Sequence, residues 1–328
     1  MTVFSRILLR NTRVLAASPL RCCATVLGIM RSNSISRRNF IITGSALLAA
    51  PLAKPQQTPT PLTAAGVVER IRKHVGVPWR SQTVDRILAG DGDTVVRGVA
   101  VTMMATLDVL ERAVAAGKNM IITHEPTFYV HQDTTAEIQN DPTLKYKLDF
   151  IRKNNIAIFR FHDHWHARNP DGIAIGMMQQ LGWEKNVDPH DPKRFLFSGE
   201  PLAQFCQDLQ SRLNDRTMRI VGKPALPVKR VAASWGAADR LTTIPLFARP
   251  DVDVLVVGEA REWELVEYAQ DSITAGNQKA LIILGHVVSE QGGMKYCTEW
   301  LKSFMTDVPI EFVPATEPFW NPGNPVAS

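Results

Sequence analysis

Met120-Ile121-Ile122-Thr123-His124-Glu125-Pro126 is a short apolar run closed by an imidazole, a carboxylate and a proline. A run this short, preceded by Gly117 and followed by Pro126, reads as a buried strand whose last residues turn polar. Upstream, Val95-Val96-Arg97-Gly98-Val99-Ala100-Val101 reads as another strand. Between the two, Leu107, Leu110 and Val114 recur at helical spacing, opened by Thr106 and closed by Gly117, which predicts an amphipathic helix. Downstream, a helix over 141–154 leads into the strand Ile156-Ala157-Ile158-Phe159-Arg160-Phe161, which ends at His162. This alternation of strand and helix predicts an α/β fold with a parallel sheet covered on both faces.

The second half echoes the first. Val228-Lys229-Arg230-Val231-Ala232-Ala233 reads as a strand and a helical stretch follows it. Val252-Asp253-Val254-Leu255-Val256-Val257 is the next strand, ending at Gly258-Glu259. A helix over 261–276 then precedes Ala280-Leu281-Ile282-Ile283-Leu284, which ends at Gly285-His286. Residues 94–126 and 226–260 look like two copies of one strand-helix-strand unit, a duplicated domain and not a solenoid. The segment 185–225 reads as a connection rich in Asp, Pro and Lys, then a helix near 201–214. Gly90-Asp91-Gly92-Asp93 reads as a turn.

Three of these strands end in imidazole: His124, His162 (with His164 and His166) and His286. The carboxyl ends of strands are where ligands collect in open α/β sheets. Each corner brings further donors. Glu125 adjoins His124, and His162-Asp163-His164-Trp165-His166 holds three imidazoles in five residues. His286 and Glu290 stand four apart, on one face of the helix that begins there. Taken singly, a histidine at a strand end is more often a hydrogen-bonded structural residue, and His286–Glu290 alone would pass for a helical pair. Their joint placement points to a metal site, and an imidazole–carboxylate pool suits Zn, Mn or Fe(II). His74, His131 and His190 lie in polar stretches without partners and read as structural. No Gly-rich phosphate loop and no Gly-x-Ser-x-Gly elbow occurs.

Over about 65–320 the chain resembles the Nif-three-like dinuclear metal-centre proteins, often labelled GTP cyclohydrolase I type 2 homologues. The resemblance rests on Gly98 to Val101, Ile121 to Pro126, Ala157 to His166, Val228 to Gly236, Asp253 to Glu259 and Gly285-His286-Val287-Val288-Ser289-Glu290. The last stretch matches a Gly-His-x-x-Ser-Glu pattern typical of the family. The resemblance implies a duplicated three-layer α/β/α fold with halves near 65–184 and 220–320, a homo-hexameric ring, and two divalent metal ions about 3–4 Å apart. Its usual ligands are two adjacent histidines, an aspartate four residues after another histidine, and a histidine and glutamate four apart. His124, His162, His286 and Glu290 match directly. Glu125 stands where the second histidine is usual, and His166 stands where the aspartate is usual. His124, Glu125, His166, His286 and Glu290 are thus still three histidines and two carboxylates, with the ligand charge kept at −2. His164 or Asp163 can replace His166 in this scheme.

The expected function is therefore dinuclear metal binding, with hydrolysis of a small molecule by metal-activated water. Glu259, at the corner of the second unit equivalent to His124-Glu125, is the candidate general base. Two alternatives stand beside it: a metal-binding ring protein without turnover, and a mononuclear metallohydrolase. The latter arises because His162-x-His164-x-His166 resembles motifs of metallo-β-lactamases and amidohydrolases, although no Asp-His continuation follows His166.

Charge and composition set the surroundings. The 328 residues carry 37 Lys+Arg against 32 Asp+Glu, a formal +5, and 45% hydrophobic content excludes a disordered chain. The excess is all at one end. No acidic residue precedes Glu69, and residues 1–53 hold seven arginines and no lysine. Ser36-Arg37-Arg38-Asn39-Phe40 followed by the short apolar run Ile41 to Ala50 resembles a twin-arginine export signal, too short for a bilayer span of about 20 residues. A mitochondrial transit peptide over 1–29, or a start at Met30, are the other readings of this end. Residues 54–64 read as a linker and 321–328 as a tail. Without 1–53 the chain has 30 basic and 32 acidic groups, a net −2, which removes nucleic acid as an expected partner. The expected setting is periplasmic or secreted, with no stable membrane anchor after processing and a small-molecule substrate. Four cysteines exclude a disulfide scaffold. Cys206 and Cys297 read as buried thiols, with a disulfide between them left open.

Overall fold

The computed structural model describes residues 61–322; the expected leader over 1–53 and most of the 54–64 linker lie outside the described residues. The first half runs α1 (Ala64–His74), β1 (Ile87–Ala89), β2 (Val99–Thr102), α2 (Leu107–Ala115), β3 (Met120–Thr123), α3 (Pro142–Lys153) and β4 (Ala157–Arg160). The one-turn α4 (Asp163–His166) and α5 (Gly172–Leu181) close it. Then come β5 (Val187–Asp188), β6 (Asp191–Pro201), α6 (Leu202–Leu213), β7 (Arg219–Val221), β8 (Pro227–Ala237) and α7 (Arg240–Ala248). The chain ends with β9 (Val254–Glu259), α8 (Glu267–Thr274), β10 (Ala280–Ile283), α9 (His286–Lys302) and β11 (Ile310–Phe312).

The strands form two sheets. One has the order β1-β4-β3-β2-β11 and the other β5-β6-β8-β9-β10-β7. In each, three parallel strands joined by helices make the centre: β2, β3 and β4, and β8, β9 and β10. The two strand-helix-strand units read from the sequence, 94–126 and 226–260, correspond to β2-α2-β3 and β8-α7-β9. Antiparallel strands flank them: β1 on β4, β6 on β8 and β7 on β10. β11 is a late strand that returns to the first sheet, pairing Ile310 with Val99 and Phe312 with Val101.

Period-2 alternation sorts the apolar side chains by face. Val99, Val101, Met120, Ile122, Ala157 and Phe159 of the first sheet share one core with Val231, Ala233, Val254, Val256, Ala280 and Ile282 of the second. Helices α1, α5, α6 and α9 fill that core through Ile71, Met177, Leu209 and Leu301. The opposite faces pack separately: Ala100, Ile121 and Ile158 with Leu110 and Leu144, and Leu255, Val257 and Leu281 with Phe247 and Ala269. Each sheet is thus covered on both faces, and the two helix–sheet–helix units share their middle layer. Within that layer α5 and α9 touch backbone to backbone. A Cβ on Gly176 would fall 2.3 Å from the Gly292 carbonyl oxygen and 2.5 Å from Gly293 Cα.

Three expectations need correction. The strand expected from Val95 starts only at Val99, because Val95 bridges to Thr63 and Val96 N–H donates to Leu62 O outside the sheet. The 185–225 connection contains β5, β6 and β7. β6 pairs with β8 through Arg194, whose guanidinium is ion-paired with Asp188 and Asp251, so a charged residue sits inside a ladder. The helix expected over 261–276 begins with a π-helical turn at Glu262–Val266 before α8. Thr106 caps α2 as predicted, its hydroxyl accepting from Val109 N–H, and Gly117 follows with φ +73°. Cys206 and Cys297 are buried and free. Among the described residues no helix is long and apolar enough to cross a membrane.

Candidate metal centre

The carboxyl ends of β3, β4, β9 and β10 converge where the two sheets meet. β3 delivers His124 and Glu125, β4 leads through His162 into α4 with His166, and β10 leads through Gly285 into α9 with His286 and Glu290. Gly285 has φ +91°, and its N–H donates to Gly258 O at 2.7 Å, which fixes the start of α9. Two glycines seat the α9 motif. Gly236 N–H donates to Ser289 Oγ at 3.1 Å, and a Cβ on Gly236 would lie 2.4 Å from Glu290 Oε1. A Cβ on Gly258 would lie 2.3 Å from Ser289 Oγ. Side chains at 236 and 258 would push Ser289 and Glu290 out of place.

All six side chains expected as ligands come together. His124 is fully buried; its Nδ1 lies 3.1 Å from Phe161 O and its Nε2 lies 3.2 Å from His166 Nε2. A carbonyl only accepts, so the His124 proton sits on Nδ1 and Nε2 is a free lone pair. His166 Nδ1 lies 2.9 Å from Asp171 Oδ2, and His162 Nδ1 lies 3.0 Å from Asp163 Oδ1. Each carboxylate accepts from the Nδ1–H and leaves Nε2 facing the cluster. Glu290 Oε2 is 3.1 Å from His286 Nε2 and 3.7 Å from His124 Nε2, while its Oε1 is 3.8 Å from His166 Nε2. Glu125 Oε1 approaches His286 Nε2 at 3.4 Å and His162 Nε2 at 3.7 Å. Two groups place one ligand atom from each member within 4.8 Å of the others: His124, His162 and His166, and His124, Glu125 and Glu290. This donor set can hold a metal ion, and its imidazole nitrogens and carboxylate oxygens suit Zn, Mn or Fe(II).

The middle motif sorts itself by its partners. His164 is turned away: its Nδ1 is 2.7 Å from Asp85 Oδ2, its Nε2 accepts from Arg80 N–H at 2.9 Å, and its ring stacks on Trp79. Asp163 accepts from Thr83 Oγ1 and Val84 N–H besides His162. Neither has an atom left for the cluster, so His162 and His166 are the two that face it. Asp85 holds the whole turn, its carboxylate accepting the backbone N–H groups of His162, Asp163 and His164.

Several groups at the site escape a reading of the sequence. Arg160, fully buried at the end of β4, points Nη2 at Glu125 Oε2 (3.4 Å) and donates Nε–H to His124 O (3.1 Å). Asp171 orients His166 and also caps α5, accepting from Ile173 and Ala174 N–H. His131, expected to lack partners, has them: its carbonyl accepts from Arg160, and its ring lies 5.9 Å from that of His162. No local pattern marks these three, because each acts on residues brought in by the fold. Glu259 sits at the rim, half exposed, with Oε1 3.5 Å from His286 Nδ1.

The charges are strongly coupled. Burial disfavours the His286 imidazolium, but Glu125, Glu259 and Glu290 outweigh it and push its pKa up to about 12. Burial would raise Glu125, yet the same His286 contact and the neighbouring imidazoles hold it well below the usual carboxylate range. Burial, with His166 and His162 beside it, keeps His124 well below the ordinary histidine value. Burial would lower His166, but Asp171 outweighs it and its pKa is raised.

An open cleft of about 530 Å³ runs up to the cluster, lined among others by Thr106, Glu125, Tyr129, Lys147, Glu259 and His286. A second hollow of about 370 Å³, beside α6, is remote from these groups and lined by Leu202, Cys206, Met218 and Ile220.

The profile of the Duf34/NIF3 (NGG1p interacting factor 3) family matches residues 78–318. The chain belongs to the Duf34/NIF3 family. A GTP cyclohydrolase 1 type 2 homolog of Chlamydia muridarum is 23% identical over 239 residues, covering 70% of this chain and 88% of that protein. Another, from Clostridium acetobutylicum, is 29% identical over 100 residues, 30% of this chain and 36% of that one. The Staphylococcus aureus hypothetical protein SA1388 superposes with a TM-score of 0.60 at 20% identity, over 80% of this chain and 100% of its own. At that identity the likeness is one of fold, and the fold is that of the Duf34/NIF3 family.

Proposed function

We propose that this chain holds a dinuclear divalent-metal centre and hydrolyses a small molecule in the cleft beside it. The observation that carries the reading is the pair of Nε2 atoms of His124 and His166, 3.2 Å apart with both Nδ1 atoms committed elsewhere. His124, His162 and His166 would hold one ion; Glu125, His286 and Glu290 would hold the other, with Glu290 lying between the two groups. The substitutions at Glu125 and His166, relative to the family pattern, then exchange an imidazole and a carboxylate without changing the ligand charge. Bound divalent ions supply the positive charge that polarises a carbonyl or phosphoryl oxygen and brings deprotonation of water towards neutral pH.

The chain's own groups do the rest. Asp171 holds the Nδ1 proton of His166, Asp163 that of His162, and Phe161 O that of His124, so that each ring presents Nε2. Arg160 holds one oxygen of Glu125 and leaves the other facing His286 and His162. Glu259, open to the cleft and held beside His286, takes the proton from the attacking water as general base. Water adds to the substrate's acyl carbon or phosphorus, the bond to the leaving group breaks, and the proton on Glu259 passes to that group.

Export by the twin-arginine route, which carries chains already folded, fits a protein that must acquire its metal before leaving the cytoplasm. A homo-hexameric ring is the assembly the family resemblance implies. Elemental analysis with a mass measurement in solution tests the reading: two divalent ions per chain in a hexamer are expected. A single ion per chain would favour the mononuclear alternative. Stoichiometric metal with no turnover of phosphoester, ester, amide or nucleotide substrates would favour a ring protein that only binds metal.

A further inference from the structure

Lys147 occupies a position that helical periodicity reserves for an apolar side chain. On α3 the inward stripe is Leu144, Lys147 and Ile151, all buried, and Lys147 is only 4% exposed. Its ammonium has three N–H donors but one acceptor among the described residues, Thr127 O at 2.7 Å. It makes no ion pair there. Asp133, a nearby carboxylate, spends its oxygens on Thr127 N–H, Phe128 N–H and Arg160. The rings of Phe128 and Tyr129 lie 5.8 and 5.2 Å from the ammonium and hold it in place. A buried, under-satisfied cation costs free energy unless a partner reaches it. Lys147 lines the cleft that leads to Glu125 and His286, so a bound molecule can be that partner.

The other charged groups of the cleft are already engaged. Glu125 faces Arg160 and His286, and Glu259 faces His286. We propose that the substrate carries an oxyanion, phosphate or carboxylate, and that Lys147 is the cation that receives it. This rests on the hydrolase reading for its meaning, while its chemistry is a property of the cleft alone. Tyr129, held at φ +72° and well exposed, forms the outer wall beside the ammonium. Glu259, which lines the same cleft, repels an anion held there.

Calorimetric titration of inorganic phosphate and of acetate, into the full chain with and without bound zinc, tests this. Lys147→Met is expected to weaken anion binding about tenfold at unchanged zinc content, Lys147→Arg to stay within about twofold, and Glu259→Gln to strengthen binding. Tighter binding of phosphate than acetate assigns a phosphoryl group, and the reverse a carboxylate. A folded Lys147→Met that binds both anions as wild type does would overturn the proposal. If that variant fails to fold, the neutral polar Lys147→Gln replaces it, and an unchanged phosphate affinity there does the same. Failure of the metal reading shows separately, as absence of zinc uptake, and the zinc-free titrations still report on Lys147. Phosphate binding that needs zinc and ignores Lys147 would leave the hydrolase reading standing and remove this one.

Discussion

His124 and His166 face each other through Nε2 at 3.2 Å, although 42 residues separate them and each Nδ1 is already bonded elsewhere. Two imidazole lone pairs do not attract each other, so in the metal-free chain this contact calls for a proton, and Asp171 raises the affinity of His166 for one. A divalent ion would replace that proton. Adding zinc to the chelated chain should therefore raise the melting temperature, by an amount that grows with the logarithm of free zinc. At a hundredfold excess over Kd the gain is about 2.7 kcal/mol. A melting curve indifferent to zinc and chelator would remove the site.

The same protons set the pH dependence. His286 is pushed up to about 12 by three carboxylates and is charged in the metal-free chain at neutrality, and Asp171 shifts His166 towards its charged form. Metal must displace these protons, and apparent affinity should rise with pH. The metal-free chain shows the opposite trend from His286: its stabilisation is full below about pH 6.5 and declines as the pH rises towards 12. The melting difference between zinc-loaded and chelated protein should thus widen between about pH 6 and pH 8. Calorimetry in two buffers should show about one proton or more released per chain. A difference that stays constant with pH would contradict this.

Asp171 offers a cleaner separation of roles. Its Oδ1 caps α5 and its Oδ2 holds His166. Asp171→Asn keeps a side-chain oxygen for the cap but loses the charge behind His166. Its metal affinity should fall about 10–100-fold with little change in the stability of the metal-free chain. Asp171→Ala should lose the affinity and in addition about 1 kcal/mol of helix capping. Equal metal affinity in all three proteins, measured by competition with a chromogenic chelator, would show that Asp171 is only a cap.

How much of this is legible in the sequence depends on range. The strand ends at His124, His162 and His286 follow from local apolar runs, and the six clustered donors sit at those ends or one helical turn beyond. The positioning groups do not announce themselves. Asp85 lies 77 residues before the backbone N–H of His162 that it accepts, and Arg160 reads as one charge in an apolar strand until Glu125 is placed beside it. The doubling into two sheets is equally invisible locally, since a buried parallel strand looks the same in either sheet. β6 escapes because Pro192, Lys193 and Arg194 obscure its alternation, and the ion pairs of Arg194 that make it tolerable come from Asp188 and from Asp251 far downstream.

The Gly176 contact makes a stability prediction that also reaches the site. In Gly176→Ala the new methyl would meet backbone atoms of Gly292 and Gly293, which cannot swing aside as a side chain can. Separating α5 from α9 should cost about 1–3 kcal/mol or more, read by urea denaturation of the metal-free chain. Because α9 carries His286 and Glu290, zinc affinity should fall with stability. Gly117→Ala serves as a comparison: nothing lies within 4 Å of its Cβ position, so the strain of φ +73° alone should lower stability without touching the metal.

Arg160 gives the sharpest test of the Glu125 substitution. Its guanidinium is fully buried between Glu125, Asp133 and two backbone carbonyls. Removing one member of a buried ion pair strands the other, at a cost of about 3–5 kcal/mol. Arg160→Met should therefore destabilise the metal-free chain by about that amount and release Glu125 Oε2. Adding Glu125→Gln removes the stranded charge, so the double variant should be more stable than Arg160→Met alone. Zinc should bind both variants more weakly than wild type, since one lacks a held carboxylate and the other lacks the carboxylate itself. If the double variant were no more stable than Arg160→Met, the guanidinium would be serving Asp133 and the carbonyls, and Glu125 would owe its position to His286 instead.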